Sequence, residues 1–262
     1  MNHDICYLLV YVDDILLPIN NSTLIRCLIS LLSSKFKLWD LGNVHYFLGI
    51  EVTPTSIGLI LSQHKYAFDI ISRADMSSCK YVDTLAFASK IGLQTNDLYS
   101  NPTHYRQIVG AFQYLTFIRL DICYDINKVC QFMHALIESH WAAVKHLLWF
   151  LKGTSLFGLH LTCGSSLSLH GFIDVDWGGG SINDQKSIGG HIVFLGTTLI
   201  SWKSGKQRTV ARSSTEAEYK ALVDGIIEVL WLHYLLFDLY FFPSFVTTTW
   251  CDNLGATFYL LI

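Results

Sequence analysis

Residues 5–19 read ICYLLVYVDDILLPI, two apolar runs with an adjacent pair of acids, Asp13 and Asp14, between them. β-branched and aromatic residues on both sides of a short polar break predict strand, tight turn and strand, with Val12, Asp13 and Asp14 as the turn. Neighbouring carboxylates at the tip of an apolar hairpin repel each other, and a hard divalent cation is the usual way to hold them together. Two such ions bridged by carboxylates activate an attacking hydroxyl and steady a leaving phosphate. An Asp-Asp pair alone is common in exposed turns. Inside Tyr11-Val12-Asp13-Asp14, with a strand on either side, it is far more specific.

Outward from this hairpin, Leu24, Ile25, Leu28, Leu31 and Leu32 recur at helical spacing and predict a helix opening at Ser22 and running to about Phe36. Tyr46–Val52 and Ile57–Ser62 read as a hairpin around Pro54 and Gly58. Helical periodicity then covers 64–75, 103–117, 121–136 and 139–152, with a Ser/Asn/Asp-rich linker near 89–102. Past Leu167 the period changes. LSLHGFIDVDW, GHIVFLG and TLISWKS predict a three-stranded meander. A long helix follows from Ser213 to about Tyr240, opened by a capping box of Ser213 and Glu216. VTTTWCDN is a fourth strand and NLGATFYLLI a second helix, giving the order β-β-β-α-β-α. The expected class is α/β (α+β), in three segments: 1–88, 89–165 and 166–262.

Composition bounds the function. Of 262 residues, 51% are hydrophobic and 15% charged, so a packed core is easily supplied and disorder is disfavoured. Mean hydropathy is high, at +0.36, yet the longest apolar stretches are interrupted by Asp13 and Asp14 and by Glu228, His233 and Asp238. Neither offers a spanning helix, and the N-terminus lacks the basic flank of a signal peptide. Seven scattered cysteines without a C-x-x-C pair fit a reducing, intracellular compartment. Cys130, His134, His140 and His146 match no standard zinc spacing and read as helix-borne polar residues. The net charge of −3 argues against a broadly basic nucleic-acid binder. One stretch differs: Lys203, Lys206, Arg208 and Arg212 follow one another with no acid between them. Taken alone it reads as a solvated hairpin tip; beside metal-binding carboxylates it would hold a phosphate backbone.

The chain resembles the reverse transcriptase and ribonuclease H segments of copia-type retrotransposon Pol polyproteins. The resemblance rests on YVDDILL (11–17), LGNVHYFLGIEV (41–52), LSQHKYAFDIISRADMSSCK (61–80), YRQIVGAFQYLTFIRLDICYDINKVCQFMH (105–134) and HWAAVKHLLWFLKGT (140–154). It continues through GFIDVDWGG (171–179), ISWKSGKQRTVARSSTEAEYKAL (200–222) and WCDN, so it covers nearly the whole sequence. It implies that Asp13 and Asp14 bind the polymerase metals, and that the hairpin bearing Tyr46 and Gly49 is the primer grip. Segment 1–88 would then be the end of the palm, 89–165 the thumb and connection, and 166–262 the ribonuclease. In that last part the resemblance implies metal-binding roles for Asp174, Glu218 and Asp252, with two Mg2+ ions as cofactor. Asp174 and Asp176 share a face of their strand, whereas Glu216 and Glu218 point apart on their helix, leaving Glu216 as the cap. The implied partners are an RNA–DNA hybrid or template-primer and the remainder of a Pol polyprotein, with Lys203, Lys206, Arg208 and Arg212 on the nucleic acid.

Departures from the family pattern set a further expectation. Twelve residues precede Asp13, too few for the family's upstream aspartate and nucleotide pocket, and the sequence ends at Ile262, before the family's last strand, helix and fourth acid. Leu85, Leu120 and Leu136 stand where the family has proline, and Ile173, Val175 and Ile188 where it has serine, alanine and threonine. The Pro-to-Leu, Ala-to-Val and Thr-to-Ile changes each follow from one C-to-T transition. The leading expectation is therefore a drifting genomic remnant without polymerase activity. An active ribonuclease within a longer polyprotein and a non-catalytic nucleic-acid-binding protein are the alternatives.

Overall fold

The computed structural model describes residues 5–19, 21–85, 97–134, 136–164, 166–179, 185–243 and 247–258. The chain forms two compact units, Met1–Thr53 and Pro54–Ile262. Most of the expected linker, 89–96, lies outside the described residues.

In the first unit, β1 (Leu9–Tyr11) and β2 (Asp14–Leu16) pair antiparallel with Tyr11 opposite Asp14, so the turn is two residues, Val12 and Asp13, rather than three. Val12 has φ of 50°, a left-handed conformation that is strained for a β-branched side chain. Helix α1 (Ser22–Ser33) opens at Ser22 as expected and stops short of Phe36; the Asn21 side chain caps it, accepting the amides of Thr23 (2.9 Å) and Leu24 (3.3 Å). The expected strand 46–52 folds back on itself as β3 (Tyr46–Phe47) and β4 (Ile50–Thr55). Leu48 and Gly49, with φ of 49° and 71°, supply the paired positive dihedrals of a type I′ turn. Leu48-Gly49 thus adds a turn inside the first expected strand, while the turn of the expected hairpin, between Pro54 and Gly58, falls at Ser56 and Ile57. No described residue from 5 to 53 is buried.

The second unit has two cores. Around the first, β5 (Gly58–Ser62) precedes α2 (His64–Arg73), α3 (Pro102–Leu115), α4 (Cys123–Cys130) and α5 (Glu138–Gly153). These helices enclose Ile70, Tyr105, Ile108, Phe112, Val129, Leu147, Leu148 and Leu151. The helix expected over 121–136 is shorter. Leu120–Ile122 forms a 3-10 turn and α4 stops at Cys130. The start of that turn is pinned by buried Arg119, which donates to both Asp121 carboxylate oxygens (2.8 and 2.7 Å) and to the carbonyl of Thr154 (2.9 Å). Strand β6 (Gly158–Thr162) was not anticipated. It pairs antiparallel with β5, Gly58 opposite Thr162, a partner remote in sequence that a five-residue run cannot announce.

The second core lies between a sheet and one long helix. Strands β7 (Leu169–Asp176), β8 (Ile188–Leu195) and β9 (Thr198–Lys206) form the expected meander, followed by α6 (Ser214–Asp238), β10 (Thr248–Trp250) and α7 (Leu254–Phe258). The sheet order is β10-β7-β8-β9, with β10 parallel to β7 and the other pairs antiparallel. Leu169 and Val193 pack on Val229, Leu232 and Leu236, while Ile173 packs with Ala221 and Leu222. Ser213 Oγ accepts the Glu216 amide at 3.1 Å as a capping box requires, but the Glu216 carboxylate accepts the amide of Arg212 (2.8 Å) instead of that of Ser213. Gly225 is the point of closest approach: a methyl there would lie 2.5 Å from Ile173 Cδ1.

This contact yields a prediction. Gly225→Ala adds roughly 1 kcal/mol of helix propensity, yet overpacking against Ile173 should leave a net loss of about 1–3 kcal/mol. Urea unfolding should show that loss in the parent background and much less of it in an Ile173→Ala background. An equal loss in both would refute the contact.

Candidate metal centre

The parallel register of β10 on β7 sets Trp250 opposite Phe172. Two residues further along each strand, the chain brings Asp252 beside Asp174, at the end of the sheet. Strand alternation puts Phe172 and Asp174 on the face away from α6, while Cys251, just past the end of β10, reaches Glu218 on that helix. Phe172, Ile173, Asp174, Trp250, Cys251 and Asp252 line one open depression of about 430 Å3. Glu218, on the first turns of α6, reaches the same strand ends and is only 6% exposed.

Three groups draw tightly together. One ligand atom each from Glu218, Cys251 and Asp252 lie within 4.8 Å of one another, the only such group among the described residues. The Cys251 thiol donates to Glu218 Oε2 at 3.8 Å. Burial raises the Glu218 carboxyl above its ordinary range, and the charges of Asp252 and Asp174 raise it further; no cationic side chain opposes them. The Cys251 thiol is likewise raised, first by burial. Asp174 stands outside the tight group but within its electrostatic reach; it is exposed, and its Oδ1 accepts the Val175 amide at 2.8 Å. A buried carboxylate flanked by two others is the donor set of a hard divalent cation, so the residues present fit Mg2+.

Cys251, just past the end of β10 and immediately before Asp252, was not singled out from the sequence. Asp176 is exposed and belongs to no ligand group. The basic stretch starts at the same sheet end as the carboxylates. The rung of Asp176 runs through Ile188 to Lys206, and the rung of Asp174 through Gly190 to Ser204. Arg208 and Arg212 are exposed in the loop before α6, while Lys203 lies 3.9 Å from Asp224. Cys130, His134, His140 and His146 do not gather. Cys130 accepts from the Gln113 amide (3.3 Å) and His140 stacks on Phe132 at 4.0 Å.

In the first unit, Asp13 and Asp14 are exposed at the β1–β2 turn, and among the described residues no third ligating side chain joins them. Tyr46 is 54% exposed and Gly49 occupies the β3–β4 turn.

A sequence profile of the family described as reverse transcriptase (RNA-dependent DNA polymerase) matches residues 3–87. The retrovirus-related Pol polyprotein from transposon RE2 of Arabidopsis thaliana is 42% identical over 97% of this chain, which covers 17% of that protein. The one from transposon RE1 is 44% identical over the same shares. An uncharacterized mitochondrial protein of the same plant is 44% identical over 86% of this chain and 93% of its own length. No solved structure matches. The chain belongs to the family of retrovirus-related Pol polyproteins of copia-type retrotransposons, as a reverse-transcriptase-like segment. It spans about a sixth of the length of the transposon relatives it matches. Among the described residues, no helix is long and apolar enough to cross a membrane.

The raised Glu218 carboxyl generates a second prediction. A raised native value gives stability that is complete below the unfolded carboxylate range and is lost as pH rises through the native value. Glu218→Gln should therefore melt higher than the parent at neutral pH without divalent ions, the gap closing towards about pH 4. Mg2+ at a hundredfold excess over its Kd should stabilise the parent by about 2.7 kcal/mol and the variant by much less. Calorimetry across pH, with and without Mg2+, checks both; a variant less stable than the parent at neutral pH would contradict the electrostatic reading.

Proposed function

We propose that residues 166–262 are a ribonuclease H-like domain whose carboxylates hydrolyse the RNA strand of an RNA–DNA hybrid, within a longer copia-type Pol polyprotein. The observation that carries this reading is the gathering of Asp174, Glu218 and Asp252 at one end of the β10–β7 strand pair. Mg2+ bound there supplies a metal-activated water and charge neutralisation at the phosphate, without a covalent intermediate. Asp174, Glu218 and Asp252 hold the metal. Lys206, Arg208 and Arg212, with Lys203 behind them, hold the phosphate backbone at the same sheet end. The 2′-hydroxyl distinguishes the RNA strand from the DNA strand.

Residues 1–88 are, on the same reading, the end of a polymerase palm, with Asp13 and Asp14 as metal ligands and the Tyr46–Gly49 hairpin as primer grip; 89–165 form thumb and connection. Two exposed carboxylates with no third ligating side chain among the described residues suit one half of a clamp completed by other parts of a polyprotein. The remnant reading and the ribonuclease reading diverge at one measurement.

Purified chain should cleave an RNA–DNA hybrid in Mg2+ and spare the DNA strand. Asp174→Asn should lower that rate on the order of 100-fold or more, the cost of removing one group that stabilises transition-state charge. Neutralising Arg208 and Arg212 together should weaken hybrid binding and shallow its salt dependence by roughly one phosphate contact per residue. No cleavage by the parent favours the remnant. Salt-sensitive hybrid binding without cleavage, unchanged in Asp174→Asn, favours a non-catalytic binding protein.

A further inference from the structure

The metal centre contains a ligand that a purely hard-cation site does not need. Cys251 Sγ sits with the Glu218 and Asp252 carboxylates inside one 4.8 Å group and points at Glu218 Oε2. Glu218 is 94% buried by its 6% exposure, and its partner is a weak thiol donor rather than a cation. Of the seven cysteines this one alone joins such a ligand group among the described residues. A tetrahedral zinc ion with bonds of roughly 2.3 Å to sulfur and 2.0–2.2 Å to carboxylate oxygen places its ligand atoms somewhat under 4 Å apart.

We propose that Cys251 makes this centre a site for a thiophilic divalent cation, Zn2+ or Cd2+, bound through Cys251 Sγ and the carboxylates of Glu218 and Asp252. The inference rests on reading Glu218 and Asp252 as metal ligands, and adds a soft mode of binding to the hard one. Thiolate ligands select soft ions that carboxylates alone hold weakly. On binding, the thiol proton passes to solvent, the Sγ lone pair forms the metal–sulfur bond, and no electron is transferred. A soft ion so held competes with Mg2+ for Glu218 and Asp252. The site would then be blocked by zinc or cadmium at concentrations where Mg2+ is in large excess.

The test uses the full chain and Cd2+ alone, read by the ultraviolet charge-transfer band of a cadmium–thiolate bond. Cys251→Ser should remove one thiolate's share of the band, leaving only the weaker share of the exposed cysteines. Glu218→Gln retains all seven thiols, yet should weaken Cd2+ binding at the Cys251 site by at least the roughly 10- to 100-fold that loss of an outer-shell partner costs. Circular dichroism establishes that both variants are folded. A band unchanged in Cys251→Ser overturns the proposal. So does a Cd2+ affinity unchanged in Glu218→Gln, because Cys251 would then bind as an isolated thiol. Asp174→Asn separates this proposal from the ribonuclease reading: it should abolish hybrid cleavage while leaving the cadmium band in place.

Discussion

The close contact of α6 with β7 is what the rest of the C-terminal half depends on. A helix can lie this near a strand only where a residue lacks a side chain, and Gly225 over Ile173 provides the place. From that point the geometry follows. Four residues nearer the start of the helix Ala221 meets Gly189, and one turn further back Glu218 arrives at the ends of β7 and β10. The helix position thus determines where one carboxylate goes, while the parallel register of β10 determines the other two. Neither the acids nor their mutual repulsion could create the site; packing between apolar surfaces holds together charges that, alone, would separate.

That division of labour explains what was legible in the sequence. Period-two alternation in LSLHGFIDVDW and GHIVFLG, and the Ser213 cap before a long apolar helix, are local signals, and each element they announced is present. So is the shared face of Asp174 and Asp176, both exposed. The non-local parts were not legible. β6 owes its strand conformation to a partner near residue 60, and the 3-10 turn before α4 starts at the buried Arg119 network, which joins residues far apart in sequence. The turn at Leu48-Gly49 was hidden in an apolar run because a leucine there takes a positive φ that the sequence pattern gives no reason to expect. Cys251 escaped notice because a cysteine in an apolar strand reads as packing until its neighbours on another element are known.

The two units solve the problem of apolar surface differently. The second buries it in two cores, one among helices and one beneath a sheet. In the first, Leu8, Leu9, Val10, Tyr11 and Val12 are all exposed, and α1 buries no residue despite a one-sided apolar pattern. Exposed apolar hairpins of this kind gain most of their stability from whatever covers them, since a lone two-stranded ribbon is marginal in water. The strained turn at Val12 points the same way, for a conformation costing on the order of 1–3 kcal/mol persists where surrounding structure enforces it.

The positions that depart from the family pattern also have a structural logic. Leu85, Leu120, Leu136, Ile173, Val175 and Ile188 are all buried or half-buried; none is exposed. On the sequence reading each stands for a smaller, more polar or more rigid residue, at a place where apolar area is already removed from water, and added methylenes there contribute roughly 0.8 kcal/mol each when they fit. Ile173 fits because Gly225, which lies over it, carries no side chain; where added methylenes do not fit, the cost is overpacking. Such changes raise mean hydropathy and alter packing, but they leave every carboxylate of the centre in place. Interior changes of this kind shift stability in small steps of either sign.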